Sequence, residues 1–412
     1  MISYVEALEY LRNGIEPLSP VTMPISQAVG SVCAETVISS ATIPPFINSA
    51  MDGFAILARD TSPDSLDFSI TGSTVAGDSP SKGTSGAWEI MTGAPLPSGY
   101  DSVVKIEDVT ITQRNGQDRP ERIRLASPVS EGANVRKAGE DFTPGMTIIE
   151  KGATVSPFHI MAMAAAGIGA VSVAPRARIT VFSTGREVMD GASVSLQPGQ
   201  IRNSNSPYLM AALEGMHTTP TYGGIIHDEP ETFEERVRAA LDSSDLILST
   251  GAVSAGRHDF IPDSLKRLGA TIRFHKVAIR PGKPILYARF ASGTHYIGLP
   301  GNPVSSVVGL RFFATPLLRH LLGARQEILP QAVLAHDVDK DIPLRFFLKA
   351  CVFQDTQHRL NVRLLKGQES FKIHPLLEAS AWAVLPEETG VIRAGTPVSV
   401  ASLAPGLPLP LY

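Results

Sequence analysis

The first apolar pattern of the chain is helical. Residues 3–12 begin with Ser3 and place Glu6 three positions later, which matches a capping box. The helix then needs one apolar face, and three apolar residues recur at helical spacing: Val5, Leu8 and Leu11. The spacing therefore predicts a short amphipathic helix at the start of the chain.

The next stretch changes to a pattern typical of strands. Short apolar runs lie between clusters of Gly, Pro, Ser and Asp, which predicts a β-rich insertion over residues 44–144. A second apolar helix is predicted to begin at Ser156-Pro157 and to end near Gly167. We expect residues 1–43 and 145–176 to form one discontinuous linker domain around the insertion.

Residues 177–326 alternate between strand-like and helical runs. Strands are predicted at 178–184, 245–250, 275–279 and 284–290, and helices after Ser206-Pro207, over 230–244 and from Pro303. Such alternation predicts a parallel, doubly wound α/β sheet, whose ligands bind beyond the carboxyl ends of the strands. Short strands return over residues 327–412, and they predict a small C-terminal β-barrel or sandwich.

Composition narrows the class of protein. Lys and Arg number 36 against 40 Asp and Glu in 412 residues, so neither nucleic acid nor an anionic membrane is an expected partner. The longest nearly uncharged run, 160–174, is shorter than the roughly 20 residues that span a bilayer. Cys33 and Cys351 are too far apart in sequence to suggest a disulfide framework. We expect two buried thiols and a reducing, cytoplasmic location.

Glycine-containing loops follow three of the predicted strands. Glycine lets a backbone approach a ligand, and exposed N–H groups at a helix start attract oxyanions. Each loop alone is equally typical of an ordinary turn, but three at one sheet edge favour an anion-binding crevice. Its candidate binding residues are Thr184, Gly185, Gly251, Ser254, Gly256, Pro300, Gly301, Asn302 and Pro303.

Charged residues also fall near these strand ends. Glu187, Asp228 and Asp259 would repel a phosphate unless a hard cation lay between them, which suggests Mg²⁺; solvated loop acids are the alternative. Positive charge comes from Lys276, Arg280 and Lys283. Positions 276 and 280 would share one face of a strand and reach one oxyanion, or belong to a solvated edge strand.

Seven segments occur in an order that resembles the molybdopterin molybdenumtransferase family, which comprises the MoeA proteins and the gephyrin E-type domain. They are PPFINSAMDGFAI, IMTGAPLPSGYDSVV, RKAGEDFTPG, STGREV, TGAVSAGRHDF, HKVAIRPGKP and GLPGNPVSS. The resemblance implies four domains: the discontinuous linker, the β insertion, an α/β molybdopterin-binding domain and a C-terminal β domain.

The resemblance also implies an activity. Members of the family insert molybdate into adenylylated molybdopterin and release AMP with the help of Mg²⁺. Glu187, Asp228 and Asp259 would hold or face the metal, while Lys276 and Arg280 would neutralise molybdate or phosphate oxygens. Partners implied are a molybdopterin adenylyltransferase and maturation proteins of molybdoenzymes.

Further residues match positions that the family uses for its site. Asp52, Thr92 and Asp141 match residues that the neighbouring subunit contributes, so a homodimer with a shared active site is expected. On residues alone, Asp52 would be a turn residue. In the C-terminal domain, Ser370 and Lys349 align with residues that contact molybdate or its surroundings.

The chain departs from the family pattern at several positions. Arg280 stands where Lys is usual, Ala252 where a second Gly is common, Arg186 where an acid is common, and Lys349 where Arg aligns. Arg and Lys hold oxyanions differently. An alternative interpretation is therefore a non-catalytic molybdopterin-binding scaffold, although the retained acids favour an enzyme. A generic nucleotide hydrolase would explain neither the insertion nor the C-terminal domain.

Overall fold

The N-terminal helix is short and partly buried. In the computed structural model, which describes residues 1–83, 85–251 and 260–404, the chain starts with these elements: α1 Tyr4–Tyr10, β1 Val21–Pro24, β2 Val37–Ile38 and β3 Asn48–Ser49. The capping box is confirmed, because Ser3 Oγ accepts from the Glu6 N–H at 3.1 Å and Glu6 Oε2 accepts from the Ser3 N–H at 2.7 Å.

The buried face of α1 differs from the predicted one. Leu11 is buried as predicted, but Val5 is 52% exposed, and Tyr4 and Ala7 are buried in its place. The reason is the Tyr4 ring, which packs edge-on against Phe313 and belongs to the largest apolar core of the molecule. The first helix therefore rests on the α/β part of the chain.

The β-rich insertion folds into one six-stranded sheet. Its strands are β4 Gly53–Ile56, β5 Asp67–Thr74, β6 Ala87–Ile90, β7 Ser102–Lys105, β8 Val109–Arg114 and β9 Pro120–Leu125. Their order is β7-β4-β6-β5-β9-β8. Gly53 is required in β4, since a Cβ there would lie 1.9 Å from the carbonyl oxygen of Val104 on β7.

Segments on either side of the insertion pair with each other. After the insertion come β10 Val135–Arg136, β11 Thr147–Ile149, α2 Pro157–Ala165 and β12 Ala170–Val173. Antiparallel pairs join β1 with β12, β2 with β11, and β3 with β10. Helix α2 begins at Pro157 after a Ser156 cap, as predicted, and buries Met163 against this region.

The α/β part carries a six-stranded sheet of order β16-β13-β17-β21-β20-β18. Its elements are β13 Ala177–Thr184, β14 Val188–Met189, β15 Ile201–Arg202, α3 Asn205–Glu214, β16 Thr218–Ile226, α4 Pro230–Leu241, β17 Leu246–Gly251, α5 Ile261–Arg267, β18 Thr271–His275, β19 Ile279–Arg280, β20 Leu286–Arg289, β21 His295–Pro300, α6 Pro303–Gly309 and α7 Thr315–Leu321. A π-helical segment, Leu310–Ala314, joins α6 to α7. The first four strands of the order are parallel, and β20 runs antiparallel to both of its neighbours, β21 and β18. Strand β18 thus runs in the same direction as the first four, and a short connection links β20 to β21.

The predicted strand over 275–279 is wrong. Strand β18 ends at His275, and Lys276 adopts a positive φ of 74°, which strands do not tolerate. Strand β19 then leaves the α/β sheet and pairs with the C-terminal domain at Ile279 and Arg280. Lys276 and Arg280 therefore do not share one strand face.

The C-terminal region is a closed five-stranded barrel. Its elements are β22 Gln331–Leu334, β23 Val338–Lys340, β24 Arg345–Gln354, β25 Leu360–Leu364, α8 His374–Glu378, β26 Ala381–Leu385, β27 Gly390–Ile392 and β28 Pro397–Ser402. The barrel closes because β24 pairs with both β25 and β26, and β22 and β28 complete the ring. The expected multidomain α/β plus β fold is confirmed.

Two smaller expectations are also decided by the described residues. Cys33 and Cys351 are both free thiols, but only Cys33 is buried, because Cys351 points to the half-covered side of β24 beside α8. Within residues 1–83, 85–251 and 260–404, no helix has the length and apolar character needed to cross a membrane.

Candidate active site

A cleft of about 500 Å³ opens at the carboxyl ends of β13, β17 and β21. This is the edge at which parallel α/β sheets bind ligands. Its walls come from the strand ends, the start of α3, the start of α6 and one residue of the barrel domain, Phe371. The cleft includes six of the predicted site residues: Thr184, Glu187, Gly251, Gly301, Asn302 and Pro303.

The loop after β13 is shaped by Gly185, which adopts φ +130°. A Cβ at this position would lie 2.7 Å from Oε2 of Glu187, so the Glu187 carboxyl group folds back over the glycine. The Gly185 N–H also donates to the carbonyl of Ile226, which ties the end of β13 to the end of β16. Glu187 is exposed and faces the cleft.

Gly251 at the end of β17 has a packing role that the sequence did not suggest. It adopts φ +119°, and a Cβ would lie 2.2 Å from the carbonyl oxygen of Thr184. The Thr184 hydroxyl in turn donates to the carbonyl of Thr250 at 2.9 Å. Glycine is needed here so that the two strand ends can close together at the floor of the cleft.

Helix α3 contributes residues that sequence reasoning missed. The helix starts at Asn205 after Ser204, whose side chain makes no capping bond, and both residues line the cleft. The Ser206 N–H donates to the side-chain oxygen of Asn203 at 3.2 Å and Pro207 has no N–H, so the start of this helix offers an anion few backbone N–H groups beyond that of Asn205. The Asn205 side-chain amide donates to the carbonyl of Gly301 at 2.8 Å, which links α3 to the third loop. The Ser-Asn-Ser-Pro run at 204–207 was the available signal.

A polar network supports the same wall of the cleft. The Asn203 amide lies 2.9 Å from the Ser183 hydroxyl, 2.8 Å from Asp190 and 3.0 Å from the Tyr222 hydroxyl. Tyr222 donates to Asp190 at 2.7 Å, and burial together with this carboxylate raises the pKa of Tyr222 to about 12. Such a satisfied network fixes the geometry of the loop between β13 and α3.

The barrel domain reaches the cleft through Ser370. The Asn302 amide donates to the Ser370 hydroxyl at 3.0 Å, and the Val304 N–H donates to the Ser370 carbonyl at 3.0 Å. The third glycine loop is therefore joined to the barrel by two hydrogen bonds. Pro300 of this loop is buried and accepts from Ser306.

Lys349 lies beneath this contact. Its side chain is fully buried, and its ammonium donates to the carbonyls of Glu369 and Lys372 at 3.3 and 3.1 Å. Burial lowers the pKa of Lys349, and the nearby Glu369 carboxylate opposes that shift. The structure thus gives Lys349 a place under the Ser370 loop, where it braces the backbone, and none in the cleft wall.

The remaining basic candidates lie on a folded segment beside the barrel. The Lys276 N–H donates to the carbonyl of Ile285 and the Val277 N–H to that of Lys283, so the segment doubles back on itself. Arg280 stacks its guanidinium over the Phe346 ring of β24, 5.3 Å from the ring centre. The three cations thus belong to a segment beside the barrel and are not part of the described cleft wall.

Comparison with known sequences identifies the three parts of the chain. Residues 2–167 match the "MoeA N-terminal region (domain I and II)", residues 180–320 a "Probable molybdopterin binding domain", and residues 331–403 the "MoeA C-terminal region (domain IV)". A molybdopterin molybdenumtransferase of Synechococcus elongatus is 35% identical over 98% of this chain and its own whole length. The chain belongs to the molybdopterin molybdenumtransferase (MoeA) family.

Other relatives agree with this assignment. A molybdopterin molybdenumtransferase of Haemophilus influenzae is 31% identical over 91% of this chain and 92% of its own length. The crystal structure of a MoeA protein from Pyrococcus horikoshii superposes with a TM-score of 0.81 at 26% identity, over 98% of this chain and all of that one. The MoeA chain described here is thus an enzyme of molybdenum cofactor biosynthesis, with molybdopterin and molybdenum as its substrates.

The insertion residues of this MoeA chain lie outside its own cleft wall. Asp52 Oδ1 accepts from both the N–H and the hydroxyl of Thr92, at 2.6 and 2.8 Å. These bonds hold the pKa of Asp52 below its usual value. Asp141 is exposed, and its N–H donates to the carbonyl of Ile43. The structure brings Asp52 and Thr92 together and leaves both open to a neighbouring molecule.

The predicted metal ligands are only partly described. Asp228 is exposed just beyond β16, whereas Asp259, Ser254 and Gly256 lie outside the described residues. In the described part of the chain, no three His, Cys, Asp or Glu side chains cluster as a metal cage. Mg²⁺ is commonly held by one or two carboxylates together with substrate phosphates, so an exposed Glu187 beside an anion-binding cleft fits such a cation.

Proposed function

We propose that the enzyme inserts molybdate into adenylylated molybdopterin and releases AMP in a Mg²⁺-dependent reaction at the cleft formed by β13, β17 and β21. The observation that carries this proposal is the join between the third glycine loop and the barrel domain, in which the Ser370 hydroxyl accepts from Asn302, a residue of the cleft wall. Such a junction offers separate positions for phosphates and for molybdate.

Residues in and near the cleft would have different roles in the reaction. The backbone N–H groups of Asn205 and of the 301–302 turn would bind the phosphates. Glu187, with Asp228 and Asp259, would hold Mg²⁺, which lowers the cost of charge developing on the departing AMP. Ser370 would donate to a molybdate oxygen, while Lys276, Arg280 and Lys283 supply positive charge beside it.

Turnover with purified components tests this reaction. The protein is incubated with adenylylated molybdopterin, Mg²⁺ and molybdate, and AMP release is followed with and without molybdate. We expect release that depends on molybdate and falls strongly in Glu187→Gln. Release that is indifferent to molybdate would contradict the insertion step and favour the scaffold alternative.

We further propose a homodimer in which Asp52, Thr92 and Asp141 complete the partner's cleft. Support comes from the exposed Asp52 carboxylate, which is held by Thr92 and stands outside its own cleft wall. Mixing of two inactive variants tests the shared site. If Asp52→Asn and Glu187→Gln damage opposite halves of a site, random mixed dimers regain about one quarter of the activity of the unaltered protein.

The complementation result separates the two arrangements. If each site is built from a single chain, no mixture of Asp52→Asn and Glu187→Gln regains activity. Sedimentation of the unaltered protein provides the control for oligomeric state. A location in the cytoplasm also belongs to this proposal, since a biosynthetic enzyme with two free thiols suits a reducing compartment.

A further inference from the structure

A second cavity lies away from the cleft, between α1, α7 and the connection from α7 to the barrel. It measures about 180 Å³, which corresponds to roughly six times the volume that one water occupies in the liquid. We call it the arginine pocket after the three residues that dominate its wall: Arg12, Arg311 and Arg319. None of these residues belongs to the proposed catalytic cleft.

The charges of the arginine pocket do not balance. Arg311 is 2% exposed and forms a two-bond ion pair with Glu327, at 2.8 and 2.6 Å, and Glu327 is the one carboxylate among the described lining residues. Arg12 and Arg319 form no ion pair with any carboxylate of the described residues. Two positive charges therefore remain in excess over the wall.

Arg319 is held in place by a hydrogen bond to a backbone carbonyl and by no ion pair among the described residues. One of its terminal NH₂ groups donates to the carbonyl of Arg325, whereas its buried Nε has no acceptor among the described residues. Burial lowers the pKa of Arg319; the Glu327 carboxylate opposes that shift and the neighbouring Arg311 adds to it. Because part of its hydrogen-bonding capacity is unused, a half-buried guanidinium is stabilised by a bound anion more than a fully paired guanidinium is.

Part of the wall of the pocket is apolar. Its apolar members include Leu8 of α1, the Phe312 ring and Leu329. The Phe312 ring lies beside the Arg311 guanidinium, whose central carbon is 5.2 Å from the ring centre. Guanidinium groups together with rings or aliphatic groups suit a phosphate group that carries a small organic substituent.

We propose that the arginine pocket binds a phosphate dianion, either inorganic phosphate or the phosphate group of a small organic monoester. Arg12 and Arg319 supply the two charges that the anion neutralises, and Arg311 is retained as the fixed partner of Glu327. A bound anion would join α1 to the connection that leads into the barrel, because residues on both line the pocket.

Calorimetric titration of the whole protein tests the site with two probes, inorganic phosphate and phenyl phosphate, at constant ionic strength. The variants are Arg12→Ala, Arg12→Lys and the control Arg236→Ala, which removes an exposed charge on α4. One charge-assisted contact is worth roughly a ten- to hundredfold change in affinity. We expect the affinity for the probes to fall by this factor in Arg12→Ala, to recover partly in Arg12→Lys and to stay unchanged in Arg236→Ala.

The probes distinguish the sources of the phosphate group. Tighter binding of phenyl phosphate would show that the apolar wall is used and that a monoester is the ligand. Equal binding would assign the pocket to inorganic phosphate. Binding in the catalytic cleft would survive Arg12→Ala and is thereby separated from the pocket. The proposal is overturned if Arg12→Ala titrates like the unaltered protein with both probes, whatever the outcome of the molybdate assay.

Discussion

The Lys349→Met variant tests whether this lysine acts through the Ser370 loop. Methionine keeps the length of the side chain but removes the ammonium and its bonds to the carbonyls of Glu369 and Lys372. Two such bonds at 3.1 and 3.3 Å are worth about 1.5 kcal/mol each, at the low end for charged donors. Relief of the buried charge returns about 1 kcal/mol, so we expect a net loss of about 2 kcal/mol.

The second effect is expected on the reaction with molybdate. Because Ser370 lies between the two bonded carbonyls along the chain, loss of the brace loosens the hydroxyl that Asn302 now holds. We expect KM for molybdate to rise about tenfold, since one well-placed hydrogen bond is worth about 1.4 kcal/mol. Lys349→Arg keeps the charge and should recover most of this loss.

Urea unfolding measures the first effect, and AMP release at varied molybdate measures the second. Val400→Ala is a matched control, because it removes buried volume in the barrel and costs about 2 kcal/mol without touching the Ser370 loop. If Lys349→Met and Val400→Ala lose equal stability and both keep the original KM for molybdate, the positioning role of Lys349 is wrong.

Three further predictions concern His295, Gly251 and Arg280. Burial lowers the pKa of His295 from 6.5 to about 4. The protein therefore has its full stability above pH 6.5 and loses up to about 3 kcal/mol as the pH falls toward 4. His295→Gln should flatten this part of the pH dependence, as measured by urea unfolding. Gly251→Ala should lower the free energy of unfolding by about 3 kcal/mol, because the new Cβ meets Thr184 and the φ angle is strained. The control Gly224→Ala is strained but not crowded, so it should cost about 1 to 2 kcal/mol. Equal losses in the two variants would contradict the crowding argument. Arg280→Lys should change KM for molybdate less than threefold, while Arg280→Met should raise it about tenfold, as read from AMP release; similar values for both would remove the charge from the explanation.

Local patterns predicted the elements well where one strong signal dominated. The Ser3 and Glu6 capping box and the Ser156-Pro157 start were visible in the sequence, because both depend on neighbours within one turn. The failure at 275–279 has a different cause: the run is apolar, but Lys276 turns the backbone so that Ile279 pairs with a distant barrel strand. No short window of sequence contains that partner.

The candidate site shows the same division. Loops that follow strands were predictable, and Thr184, Glu187 and the 301–303 turn indeed line the cleft. Asn205 was missed because its role depends on a hydrogen bond to Gly301, almost a hundred residues away. The inward direction of the Lys349 side chain was not predictable, because the alignment of a basic residue with a binding position carries no information on its burial.

Strand β19 becomes paired only late in the synthesis of the chain. Its two residues belong by sequence to the α/β part, yet they pair with Arg345 and Phe346 at the start of β24. When synthesis has reached residue 326, β19 therefore has no partner strand. Its edge is covered only after the start of β24 has left the ribosome. A chain shortened at the domain border would keep that open edge, which is a template for pairing with another molecule.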